Sequence, residues 1–94
     1  MQGMKDTTYN GANYETWNVA LWLGNDEGTY NLVRDMARDA RKDEYPAGTL
    51  ASMLETEVRD STPDLGASMY ADLLGAALQE VNWYEIAKNI LSED

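Results

Sequence analysis

The side chains of this sequence that could do chemistry are, almost without exception, carboxylates. Seventeen Asp and Glu stand against seven Lys and Arg, with neither His nor Cys. Zinc, copper and haem centres draw mostly on imidazole and thiolate, so only an all-oxygen Ca²⁺ or Mg²⁺ site is open to this composition. The same absence removes His-dependent triads and Cys nucleophiles. Carboxylate pairs remain for acid–base work: Asp35/Asp39, Glu55/Glu57 and Glu80/Glu85. Each pair falls on the polar face of an expected helix, whereas a catalytic carboxylate needs burial or a specific charged partner to move its pKa. Asn25-Asp26-Glu27-Gly28 sets three oxygen side chains before a Gly, but the twelfth position of a calcium loop begun at Asn25 is Met36 rather than Glu. No glycine is followed by Lys-Ser or Lys-Thr, so there is no phosphate loop. We expect no catalytic residue, no cofactor, no metal and no enzymatic activity.

Three groups of residues suit binding instead. The first is acidic. The formal charge is −10, and residues 55–94 hold nine of the acids but only two bases. Such a surface repels free nucleic acid and attracts a basic partner. Glu55, Glu57, Asp60 and Asp64 are its expected contacts. The second is Arg34, Arg38 and Arg41, which fall within about 60° of one helical flank, with Asp35, Asp39 and Asp43 on the other. Local ion pairs Asp35–Arg38 and Asp39–Lys42 compete with any outside partner for these cations. The third is aromatic: Tyr14, Trp17, Trp22 and Tyr30. Trp17 and Trp22 stand about 140° apart on one short helix, so both are covered only if that helix is wrapped on all sides.

These residues need elements to hold them, and the periodicity predicts helices throughout. Residues 1–12 are polar and carry no apolar period, which predicts a flexible N-terminal tether before a single domain over 13–94. Asn13 caps a first helix that stops at Gly24; Asp26 caps a second over about 27–42. A third opens at or before Thr49, with Leu50, Met53, Leu54 and Val58 inward, and ends by Ser61. Thr62 is expected to cap a fourth, with Pro63 at its first position and Met69, Tyr70, Leu73, Leu74, Ala77, Leu78 and Val81 inside. Ala67, Ala71 and Gly75 recur every four residues, which predicts close approach of another backbone there. Asn82 caps the last helix, with Glu85 three residues on and Trp83, Ile86, Ala87, Ile90 and Leu91 inward. The expected fold is all-α: a compact bundle of about five short helices, with the apolar first helix at its centre. No run approaches the length of a membrane span and the N-terminus lacks a secretory apolar region, so a cytoplasmic place in the host cell is expected.

Two blocks carry a resemblance. The run from Asn13-Tyr14-Glu15-Thr16-Trp17 through Leu23, followed by Asn25-Asp26-Glu27-Gly28 and Tyr30, resembles the opening of a family of small proteins from phages and microbial genomes. The stretch from Ala71-Asp72-Leu73-Leu74 through Asn82-Trp83-Tyr84-Glu85-Ile86-Ala87 resembles its close. The resemblance carries over no catalytic residues; it implies a phage or mobile-element accessory protein. The expected function is binding that inhibits or redirects a host protein, in an anti-CRISPR or antirestriction manner. One form of it is a DNA mimic whose acids fill the basic groove of a nucleic-acid-binding protein. The alternative is a structural or assembly module that self-associates through the first helix or the Arg34 face; the chain is expected to be a monomer or a homodimer.

Overall fold

A computed structural model describes residues 12–93, in which five helices and no strands occur. The expected tether, apart from residue 12, lies outside the described residues. Asn13 takes an extended backbone and its Oδ1 accepts the Thr16 N–H at 2.8 Å, opening α1 (Tyr14–Asn25). This helix runs through Gly24 and one residue beyond it. Asp26 then serves both sides of a one-residue corner. Its N–H closes α1 on the Trp22 carbonyl, while its carboxylate opens α2 (Glu27–Ala40) by accepting from Thr29. Pro46 occupies the first turn of α3 (Pro46–Asp60), where its missing N–H costs nothing.

The next boundary departs from expectation. No helix starts at Thr62-Pro63; residues 61–68 form an irregular link, and α4 covers Met69–Gln79. The Asp64 carboxylate accepts the Gly66 N–H at 3.0 Å, and Gly66 sits at φ 63°, a left-handed value that favours glycine. This local turn competes with a helix, and Ser68 supplies the cap in place of Thr62, its hydroxyl accepting from Ala71. Asn82 caps α5 (Trp83–Ser92) as expected.

The core corrects the expected centre. Leu50 and Leu54 of α3 are the largest fully buried side chains, and α3 is packed between α2 and α5. Val33, Ala37 and Ala40 come in from α2, Trp83, Ile86 and Ala87 from α5, Leu78 from the end of α4 and Val81 from the link between α4 and α5. α1 gives the apolar core only Leu23. An apolar circumference does not place a helix in the middle: α1 has its apolar residues on all sides but finds neighbours, α2 and α5, on only some of them. α4 departs in the same way. Met69, Tyr70 and Leu73, expected inside, are each more than three-fifths exposed. The close approach expected at Gly75 is absent too, since a Cβ built there meets nothing within 4 Å.

Candidate functional site

The two ends of the domain meet at the start of α1. Thr16 is 2% exposed, and its hydroxyl accepts the Asn82 N–H at 2.7 Å. Asn13 Nδ2 donates to the Glu80 carbonyl, also at 2.7 Å. The Asn82 N–H at the start of α5 is thus satisfied by Thr16, from the other end of the chain. These polar residues of the two recognisable blocks are architectural. They fix how α1 lies against the α4–α5 corner, and so which side of α1 faces outward.

That outward side is aromatic. Leu21, Tyr14 and Trp22 fall within about 100° of the helix circumference. They are 40, 52 and 65% exposed, while Leu23 and Thr16 point the other way. Trp17, partly buried, has its ring centroid 5.8 Å from that of Tyr14 at a 41° tilt. Asn18 lies between Tyr14 and Trp22 and donates weakly, at 3.5 Å, to the Tyr14 hydroxyl. The face has a broad apolar centre with hydrogen-bonding tips, a composition favoured at protein interfaces over free surface. The structure therefore separates the two tryptophans: Trp17 against the body, Trp22 out.

The acidic group does not form one surface. Glu55 and Glu57 are about 200° apart on α3. Glu55 holds Arg59 at 2.9 Å, Glu57 accepts from the Ser61 hydroxyl at 3.1 Å, and Asp64 is engaged with Gly66. Asp60 is exposed about 60° from Glu57. A carboxylate strip spaced like a phosphate backbone is not what these four make.

The arginine flank is exposed but engaged by partners within the molecule. Arg38 pairs with Asp35 at 3.0 Å, and Lys42 with Asp39 at 3.7 Å, the two local pairs expected. Arg34 lies 5.6 Å over the Tyr30 ring and donates to its hydroxyl at 3.0 Å. Arg41 donates to the Leu91 carbonyl at 3.1 Å, satisfying an end carbonyl of α5. These cations brace α2 against itself and against α5.

The cleft between α1, α2 and α5 has an apolar floor that includes Leu23, Val33, Ile86 and Ile90, with Arg34 and Glu93 also lining it. At about 200 Å³ it is smaller than the 300–1,000 Å³ of ordinary small-molecule sites and has room for little more than one side chain. Among the described residues no three carboxylates converge as a metal cage would need. The Asp26 carboxyl is held below its ordinary value by the Thr29 hydroxyl and then the Thr29 N–H. That is capping, with no chemistry attached. No helix of the described residues is long and apolar enough to cross a membrane.

The surface that sequence reasoning missed is the outer face of α4, counted above as interior. Its signal was present in charge rather than in period: residues 65–79 contain one charged side chain, Asp72, in a chain of net −10. No curated protein and no solved structure matches the chain. The model of a family of unknown function (DUF7249) matches residues 5–93, and the chain belongs to that family.

Proposed function

We propose that this member of the family is a non-enzymatic binding protein, of the kind a phage or mobile element carries, that grips a host protein through the outer face of α1. The observation that carries the reading is Trp22, 65% exposed on a helix whose opposite side packs into the domain. Trp and Tyr exposed together around an aliphatic residue are the side chains that most often dominate binding energy. The hydrogen bonds from Asn13 and Thr16 to the far end of the chain hold that face rigidly, so little ordering entropy is lost on docking.

Inhibition or redirection of the partner, as in counter-defence against CRISPR or restriction enzymes, is the concrete form we propose. In it the charge of −10 has a subordinate role: it speeds encounter with a basic host surface, such as the groove of a nucleic-acid-binding enzyme. Contact itself is made by the aromatic face, because, of the four acids once expected to imitate phosphates, Glu55 and Glu57 stand on different sides of α3 and, with Asp64 in the link that follows, are engaged by local donors. Capture of partners from host lysate on immobilised protein tests this. The wild type and the quadruple variant E55Q/E57Q/D60N/D64N are expected to retain the same host protein, and Trp22→Ala to lose it. Retention by Trp22→Ala together with loss by the quadruple variant would overturn the assignment and restore mimicry.

A further inference from the structure

The outer face of α4 has no role in the binding proposed above, and it is an exposed apolar surface. Met69, Tyr70 and Leu73 are 63, 65 and 61% exposed, and of α4 only Leu78 is buried. Met69, Leu73 and Ala76 follow one another at spacings of four and three, the spacing of a seam between paired helices, and Tyr70 and Ala77 flank it.

Two features select the occupant. The first is charge. With Asp72 the single charged side chain in residues 65–79, this is a surface where another strongly acidic body can approach without facing a row of carboxylates. A basic partner would gain little by docking on it. The second is shape. The seam is bulky in its first half, at Met69 and Tyr70, and small in its second, at Ala76 and Ala77. Antiparallel pairing about a two-fold axis at Leu73 sets Met69 level with Ala77 and Tyr70 level with Ala76, large against small on either side of a central Leu73–Leu73 contact. A face that is complementary to itself in this way is what an isologous dimer requires.

We infer that the protein forms a homodimer by antiparallel pairing of α4 with α4 of a second copy. The three large side chains offer on the order of 400 Å² per subunit, about half of the ~800 Å² per partner of stable complexes. The dimer is therefore weak and concentration-dependent, and it leaves the α1 face of each subunit available.

Sedimentation equilibrium from about 10 µM to about 2 mM reads the association by mass action. The mass is expected to rise from 10.5 kDa towards twice that, and to rise further at higher salt, since screening relieves repulsion between two copies of charge −10. Leu73→Glu, at an exposed position, is expected to stay monomeric at every concentration with an unchanged helical spectrum, and Trp22→Ala to dimerise like the wild type. Geometry is read separately, because the chain has no cysteine of its own. Met69→Cys and Ala77→Cys proteins are expected to form a disulfide with each other when mixed, at least tenfold faster than either does with itself. A wild type that remains monomeric at the highest concentration, or a Leu73→Glu protein that dimerises normally, overturns the dimer. Faster self-linking of Met69→Cys overturns the antiparallel arrangement.

Discussion

At the scale of single residues, the domain depends on side chains that close its backbone accounts. The Thr16 hydroxyl accepts the Asn82 N–H, and it lies in a nearly sealed position. Thr16→Val preserves shape and removes that acceptor. Leaving the N–H without a partner costs about 1–3 kcal/mol. In a domain of this size each kcal/mol lowers the melting temperature by roughly 4–8 °C. Thr16→Ser, which keeps the oxygen, is expected to lose clearly less; equal melting of the Val variant and the wild type would refute the role. Asp26 gives a pH-dependent counterpart. Its folded-state pKa is depressed, chiefly by the Thr29 hydroxyl, so its charged form stabilises the fold above the ordinary carboxylate range. That contribution is lost as pH falls from the ordinary value through the folded one. Melting curves of the wild type and Asp26→Asn are expected to differ at neutral pH and to converge in acid. A gap that stays constant across the range would contradict it.

At the scale of elements, the ledger is uneven: α3 holds the core and α4 scarcely enters it. Leu54→Ala should destabilise by about 2–5 kcal/mol, because a fully buried side chain leaves a cavity. Gly75→Ala should stabilise by about 0.5–1 kcal/mol, since the added methyl meets nothing within 4 Å and the helix interior gains a better former. A loss of stability in Gly75→Ala would mean that something approaches α4 more closely than described. Much of this was legible in the sequence. Asn13, Asp26 and Asn82 cap the helices they were expected to cap, because an Asx side chain bonding the amide three residues on is a local event. The inward faces of α3 and α5 followed from their period, with Leu50, Leu54, Trp83, Ile86 and Ala87 buried. Two things were not legible. Pro63 suits a helix start, but whether one forms there was decided by the competing Asp64–Gly66 turn and the Ser68 cap. And period shows which side of a helix is apolar, not how many neighbours it will find. That is why α1 looked central, and why Met69, Tyr70 and Leu73 looked buried.

At the scale of the whole molecule, an acidic body displays two apolar faces with different complements. On the binding proposed, the α1 face, which mixes aromatic bulk with polar tips, meets a foreign protein; in the inferred dimer the nearly uncharged α4 face meets its own copy. Net charge of −10 sets the conditions under which each is used: it accelerates approach to a basic partner and opposes approach of a second copy. Salt therefore separates apolar contact from charge contact. Binding carried by many paired charges weakens steeply as salt rises, whereas binding carried by buried aromatic area changes little. The candidate site was partly legible on these terms. Trp22 and Trp17 could be named from their spacing, but which one faces outward was fixed by Thr16 and Asn13 reaching the far end of the chain.

The most direct test is the amount of host protein retained on immobilised wild type and on Trp22→Ala across a salt series from about 50 mM to about 500 mM. The wild type is expected to hold its partner with little loss over that range, and Trp22→Ala to hold it at no salt concentration. Equal retention by both proteins, falling steeply for both as salt rises, would contradict the aromatic face of α1 as the binding surface.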